Sequence, residues 1–155
     1  MEYDAEVSCG EKILAEGESI IIGISAGVLT SLVTIVGMSI LFDLSHNEYV
    51  TLLPKSITTA IGIGVSEELG GYVSITATSI IITGILGNIV GEFLCKCFRI
   101  KHAISRGLAL STSSHAIGTT KAMEMGEVEG AMSSLAMVVA GLCTVVAASI
   151  FAMFW

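Results

Sequence analysis

Residues 107–126, GLALSTSSHAIGTTKAMEMG, decide how this chain folds, because their composition suits neither lipid nor open water. The stretch carries six hydroxyl side chains together with His115, Lys121 and Glu124, yet it lies between long apolar runs. It is too polar for a helix that faces lipid and too apolar for an ordinary loop. We therefore interpret it as a segment that lines a polar cavity at membrane depth.

The composition of the whole chain places it among membrane proteins. Its 155 residues are 53% hydrophobic and 14% charged, whereas soluble domains are about 25% charged. Residues 19–42, 69–91 and 130–155 contain no Asp, Glu, Lys, Arg or His. At 1.5 Å per residue each reaches roughly 35 Å, enough to cross a hydrocarbon layer of about 30 Å. The sequence predicts an all-α, polytopic integral membrane protein with three full transmembrane helices.

Charge and cysteine content exclude several other classes. The net charge is −7 and no basic stripe runs along the chain, which argues against a nucleic-acid partner. Residues 1–18 form an acidic N-terminal segment without the pattern of a signal peptide. The cysteines, including the pair Cys95 and Cys97, show no disulfide framework and no specific metal spacing. We expect no metal site and no cofactor.

Several features predict how the crossings are arranged. Gly23 and Gly27 form a GxxxG pair in the first crossing, which predicts close packing against another helix. Residues 43–49 are predicted to form a water-exposed turn, and Asn88 is expected to make an interhelical hydrogen bond. Residues 92–106 hold four of the seven basic residues, so the positive-inside rule places the 96–106 connection in the cytoplasm of a multi-pass plasma-membrane protein.

A second unusual stretch, residues 52–71, reads LLPKSITTAIGIGVSEELGG. Its charge-free part is too short to cross a bilayer as one helix. Pro54 can start or break a helix, and Gly62 and Gly64 add freedom to bend. Short apolar segments interrupted by Gly or Pro indicate broken or re-entrant helices in transporters. An interfacial linker helix is the alternative.

The two unusual stretches match each other at a shift of 56 residues. Residues 60–62 (AIG) align with residues 116–118 (AIG), and Glu68 aligns with Glu124. Each copy, about 52–91 and 107–155, reads as a hydroxyl-rich segment followed by one crossing. If each segment enters and leaves on one side, the copies have opposite orientations. The sequence therefore predicts two broken, re-entrant segments related as an inverted repeat.

Where two such segments meet, helix N-termini and hydroxyl groups favour an anion such as a carboxylate. The predicted binding residues are Lys55, Ser56, Thr58, Thr59, Ser113, Ser114, His115, Gly118, Thr119, Thr120 and Lys121. Acceptors of a coupling proton would be Glu67, Glu68 and Glu124, whereas Glu127 and Glu129 are predicted to be a solvated helix start.

His115 is the favoured cavity residue among the charged candidates, because it lies among hydroxyls and away from the basic connection. A His115 side chain bonded to a backbone carbonyl in a helix break is the alternative. Lys55 and Lys121 are alternatively side chains that extend to lipid headgroups. We expect no enzymatic activity, because the serines near His115 have no evident orienting acid.

The two stretches 54–71 and 106–137 (RGLALSTSSHAIGTTKAMEMGEVEGAMSSLAM) resemble the signature blocks of the LrgB/CidB family. The resemblance covers residues 19–155 as one membrane domain. It implies a membrane protein working with a small LrgA/CidA-like partner. It also implies one of two functions: antiholin-like control of murein hydrolase export and lysis, or transport of small monocarboxylates such as pyruvate, with a plastid relative moving glycolate and glycerate. Self-association into a homo-oligomer stays open.

The chain departs from the family pattern at three places. Ala60 stands where proline is usual, and Gly91-Glu92 stands where Gly-Pro is usual. Relatives carry further hydrophobic segments at the N-terminus, so we expect this chain to be N-terminally shortened.

Overall fold

The computed structural model describes residues 17–154, which are helical apart from short connections. Most of the acidic segment 1–18, Cys9 and residue 155 lie outside the described residues. The elements are α1 (Gly17–Phe42), α2 (His46–Leu52), α3 (Thr59–Glu68), α4 (Val73–Cys97), α5 (Ala103–Met125), α6 (Glu127–Phe151) and a final 3₁₀ turn (Ala152–Phe154).

The prediction of an all-helical protein with three helices long enough to cross a membrane is confirmed. These are α1, α4 and α6 with its 3₁₀ extension, and each is apolar over most of its length. Their exposed large apolar side chains are mainly Ile, Leu and Val, as expected for helices that face a bilayer.

The second crossing, predicted at residues 69–91, begins and ends later in the chain, at Val73 and Cys97. We expected a connection from residue 92, but α4 continues to Cys97. Lys96 and Glu92 form an ion pair of 2.8 Å at a spacing of four residues, which supports a further turn of helix. The actual connection to α5 is only residues 98–102.

The prediction of a turn over residues 43–49 is wrong beyond residue 45. Ser45 caps α2: its backbone N–H donates to the Glu48 carboxylate, and its hydroxyl accepts from the Glu48 N–H. Hydrogen bonds from Ser45 also hold the pKa of the Glu48 carboxyl below its usual range. Tyr49 is fully buried, and its hydroxyl donates to the Phe151 carbonyl at 2.9 Å.

The helical path is interrupted at two places. Residues 53–58 are non-helical and separate α2 from α3. Within α5, Ser114 has φ −139° and ψ 19°, and His115 has φ 42° and ψ −135°. In a straight α-helix, Leu110 and Gly118 would be about 12 Å apart along the helix axis. Here a Cβ added at Gly118 would lie 2.5 Å from the Leu110 carbonyl oxygen. The two halves of α5, residues 103–113 and 116–125, therefore lie side by side.

Contacts between elements define two ends of the helical assembly. The Tyr49 end holds α2 and the C-terminal end of α6, joined by Tyr49 and Phe151. The Arg106 end holds the starts of α5 and α6, joined by an ion pair between Arg106 and Glu129. Thr76 in the first turns of α4 donates to the Thr51 carbonyl in α2, so α4 begins at the Tyr49 end.

The packing predicted for the GxxxG pair is confirmed. A Cβ at Gly23 would lie 3.1 Å from the Leu108 side chain, and one at Gly27 would lie 2.6 Å from Thr112 Oγ1. These two contacts are four residues apart on both helices, so α1 and the first half of α5 run in parallel. The absence of side chains on the glycines permits this close approach.

Candidate functional site

A cavity of about 530 Å³, open to the surface and lined mostly by apolar atoms, lies between α1, the 53–58 loop and the first half of α5. Its volume falls in the range of small-molecule sites, about 300–1,000 Å³. The side chains that bring polar groups to it are Ser19, Thr30, Ser31, Lys55, Ser56, Ser105, Thr112 and Ser113. These side chains belong to α1, the 53–58 loop and the first half of α5.

The inner part of this cavity lies near the middle of α1. Ser31 Oγ is 2.9 Å from Ser56 Oγ, and Ser31 is roughly 21 Å from Gly17 and 17 Å from Phe42 at 1.5 Å per residue. The 53–58 loop therefore reaches the middle of a helix that is long enough to cross a membrane.

Lys55 supplies the cavity's charge. Its Nζ donates to Ser56 Oγ at 3.1 Å, and the side chain is partly buried. No carboxylate of residues 17–154 forms an ion pair with it. An ammonium group with hydroxyl neighbours and no paired carboxylate in this part of the chain is suited to an anionic ligand.

The structure brings together Lys55, Ser56 and Ser113 from the predicted binding residues. Thr58 and Thr59, which flank the start of α3, are half-buried and lie outside the cavity lining. Ser114, His115, Gly118, Thr119, Thr120 and Lys121 also lie outside that lining.

His115 occupies the break in α5, where it is almost fully buried. Its Nε2 lies 2.8 Å from the Ile80 carbonyl oxygen of α4. This contact agrees with the alternative interpretation of His115, in which its side chain is bonded to a backbone carbonyl at a helix break. A Cβ at Gly84 would lie 2.7 Å from the imidazole ring, so α4 has no side chain where the ring packs.

The hydroxyls after the break join α5 to its neighbours. Thr119 Oγ1 donates to the His115 carbonyl at 2.9 Å and lies 2.9 Å from Ser133 Oγ of α6. The predicted interhelical hydrogen bond of Asn88 is confirmed, because its Nδ2 donates to the Ile117 carbonyl at 2.9 Å and to Thr120 Oγ1 at 3.1 Å. The second half of α5 is thus bonded to both α4 and α6.

We expect Asn88→Ala to destabilise the fold modestly. Polar bonds between membrane helices contribute about 0.6 kcal/mol on average and up to about 1.7 kcal/mol, so the free energy of unfolding should fall by about 1 kcal/mol. Reversible unfolding in mixed micelles measures this change. Ser149→Ala is the matched control, because the partner of Ser149 among residues 17–154 is the Val145 carbonyl of its own helix. An equal loss in both variants would contradict the interhelical role.

Lys121 and Glu124 belong to an ion-pair network at the Arg106 end. Lys121 Nζ lies 3.2 Å from Glu92 Oε2 and 3.1 Å from Glu124 Oε2. The network continues from Glu92 to Lys96. Glu67 and Glu68 are exposed at the end of α3, at the other end of the protein. The three predicted proton acceptors are therefore separated from the cavity lining.

The prediction that Glu129 is solvated is wrong, whereas Glu127 is exposed as predicted. Glu129 is 5% exposed, and its Oε1 is 2.8 Å from Arg106 Nη2. The sequence does not indicate this pair, because most of α5 separates the two partners along the chain. A buried carboxylate is retained at low cost only with such a cationic partner.

Sequence reasoning missed the contribution of α1 to the cavity. Ser31 and Thr30 line it, although they lie in a crossing that we interpreted only as a packing helix. Their spacing carries no signal of a site, because Ser and Thr are frequent in membrane helices. The contact between Ser31 and Ser56 identifies the face of α1 that is involved.

Known protein families and curated relatives show what this chain is similar to. The LrgB-like family model matches residues 10–154. Proteins named "Antiholin-like protein LrgB" from Bacillus mycoides (strain KBAB4), Bacillus cereus (strain B4264) and Bacillus anthracis (strain CDC 684 / NRRL 3495) are each 44% identical over 101 residues. That match covers 65% of this chain but only 44% of each relative. No solved structure matches the chain significantly.

The family match covers nearly the whole chain, including both interruptions of the helical path and the residues that line the cavity. The three apolar helices agree with the membrane character that the sequence predicts. The chain belongs to the LrgB-like family.

Proposed function

We propose that this protein binds a small monocarboxylate of the pyruvate or glycolate class in the cavity at Lys55 and moves it across the membrane. The observation that carries the proposal is the Lys55 ammonium beside Ser56, near mid-helix depth, without an ion pair among residues 17–154. A charge at membrane depth costs about 2.5–3.5 kcal/mol on insertion scales, so it is rarely retained without a cavity or ligand.

The proposed architecture is an inverted repeat of two re-entrant hairpins. The first hairpin consists of α2, the 53–58 loop and α3 and enters from the Tyr49 end. The second consists of the two halves of α5 and enters from the Arg106 end. Support comes from the contact of Ser56 with the middle of α1 and from the contact of His115 with Gly84, near the middle of α4. Secondary transporters place binding sites where such hairpins meet.

Within this model the residues divide into two groups. Lys55, Ser56 and Ser113 would contact the carboxylate, with Ser31 and Thr30 completing the wall. His115, Gly118 and Thr119 would shape the tip of the second hairpin, since their contacts are to the protein itself. Glu124 and Lys121 would hold that hairpin to α4 through Glu92.

Regulation of lysis is the second candidate function. It is favoured by the name of the relatives, antiholin-like protein, and by the large apolar faces of α1 and α4, which other membrane helices would be able to contact. Under this proposal the protein acts through helix contacts with a small LrgA/CidA-like membrane protein or with a second copy of itself. In both cases we place the protein in the plasma membrane with the connection between α4 and α5 in the cytoplasm, because Lys96, Arg99, Lys101 and Arg106 cluster there.

Uptake measurements distinguish the two functions. Vesicles containing the full chain, with and without the small partner protein, are supplied with labelled pyruvate or glycolate. Transport predicts saturable uptake that unlabelled monocarboxylate inhibits. Uptake equal to that of protein-free vesicles under both conditions would contradict transport. Regulation instead predicts that the rate of autolysis in cells follows expression even when Lys55 is replaced.

A further inference from the structure

The cavity extends from its inner end at Lys55 toward one end of the protein. Ser19 and Ser105 line it, and each lies two residues from the start of its helix, α1 or α5, at the Arg106 end. Ser31 and Ser56 line its inner part. Along α1, the distance from Ser19 to Ser31 is about 18 Å at 1.5 Å per residue. The lining residues therefore form a path from the helix starts to mid-helix depth.

The parallel arrangement of α1 with the first half of α5 explains the course of this path. The two helices touch at Gly23 with Leu108 and at Gly27 with Thr112. The cavity runs beside these contacts, where Ser113 is exposed.

The opposite direction is closed by packed side chains. Leu53 and Pro54, which precede Lys55 in the loop, are buried, as are Tyr49 and Val50 in α2. Leu53, Tyr49 and Val50 pack in one apolar cluster with Leu32 and Ile35 of α1. The Tyr49 hydroxyl is bonded to the end of α6. No polar path leads from Lys55 to the Tyr49 end through these residues.

We propose that the cavity is a water-filled half-channel, open at the Arg106 end and closed at the Tyr49 end, through which a small anion reaches Lys55. A charged ammonium at this depth is stabilised by water and by the Ser56 hydroxyl, to which Lys55 Nζ donates, rather than by lipid. The inference rests on the proposed function only for the identity of the anion. Access of water along the path to Lys55 is measured separately from transport of the anion.

Labelling of single cysteines in the full chain tests this path. The four native cysteines are replaced, and Ser56→Cys or Ser113→Cys is introduced singly. A membrane-impermeant, charged methanethiosulfonate is then added to one side of sealed vesicles. Native Cys97 kept alone is the reference for the Arg106 end, because it is exposed at the end of α4. Asn47→Cys is the reference for the Tyr49 end, because Asn47 is exposed at the start of α2.

Both cavity variants should be labelled from the side that labels Cys97, about tenfold or more faster than from the side that labels Asn47→Cys, because a charged reagent crosses hydrocarbon poorly. Native Cys143 kept alone, exposed on the mid-part of α6, should react slowly from either side. Faster labelling of Ser56→Cys from the Asn47 side would overturn the direction. Labelling of neither cavity variant, with both references reactive, would overturn the half-channel. Either labelling result is obtained whether or not the vesicles transport pyruvate.

Discussion

Lys55→Met should reduce saturable uptake of labelled pyruvate by about 10- to 100-fold, because a hydrogen bond to a charged group contributes about 1.5–3 kcal/mol and 1.4 kcal/mol corresponds to tenfold in affinity. Lys55 provides the ammonium of the cavity, and Ser56 is its hydrogen-bond partner. Without it, the hydroxyls of Ser31 and Ser113 would face the carboxylate without a compensating positive charge.

This variant separates binding from folding. Lys55 forms no ion pair within residues 17–154, so its removal leaves no carboxylate of that region uncompensated. Membrane abundance should therefore stay the same or rise. Lys96→Met is the matched control, because Lys96 is exposed and neither it nor its partner Glu92 lines the cavity. Lys55→Arg keeps the charge and should retain more uptake than Lys55→Met. Unchanged uptake by correctly inserted Lys55→Met protein would remove Lys55 from the site.

Gly118→Ala should lower the free energy of unfolding by about 2 kcal/mol, within the 1–3 kcal/mol typical of overpacking. A methyl group at Gly118 would meet the Leu110 carbonyl oxygen at 2.5 Å and Ser114 Cβ at 2.7 Å. The first of these atoms is backbone and has no rotamer by which to move away. The two halves of α5 would have to separate, which would disturb Thr119 and Asn88 as well.

Gly64→Ala is the matched control for Gly118→Ala. Gly64 lies in α3, and a Cβ there would meet no atom within 4 Å. Because alanine favours helix over glycine, this variant should be neutral or more stable by up to about 1 kcal/mol. Unfolding in mixed micelles compares both variants with the original protein. Equal stability of Gly118→Ala and Gly64→Ala would contradict the close packing of the two halves of α5.

The three long apolar helices were predictable because each depends on a local property of the sequence, a run of apolar residues. Residues 19–42 lack charges, and α1 (Gly17–Phe42) begins two residues before this stretch and ends with it. The end of α4 was misplaced because Glu92 and Lys96 look like the start of a polar connection, yet at four residues apart they neutralise each other on one helix. Charge alone therefore does not locate the end of a membrane helix.

Contacts between residues far apart in the sequence were not predictable from local sequence patterns. The burial of Glu129 depends on Arg106, and the burial of Tyr49 depends on the end of α6. Both follow from the direction in which α6 runs between the two ends. The hydroxyl-rich composition of residues 107–126 indicated a polar environment, but it did not reveal which hydroxyls bond to protein, as Thr119 does, and which line the cavity, as Ser113 does.

The distance between a bound carboxylate and the Lys55 ammonium tests the proposed binding site most directly. Solid-state NMR on membranes containing the ¹⁵N-lysine-labelled protein and pyruvate labelled with ¹³C at the carboxyl carbon measures ¹³C–¹⁵N dipolar coupling. We expect a carboxyl carbon about 4 Å from one lysine Nζ, as in a charge-assisted hydrogen bond, with the signal lost in Lys55→Met. Saturable pyruvate binding with no such coupling, or with a coupling that persists in Lys55→Met and disappears in Lys121→Met, would contradict the proposed binding site.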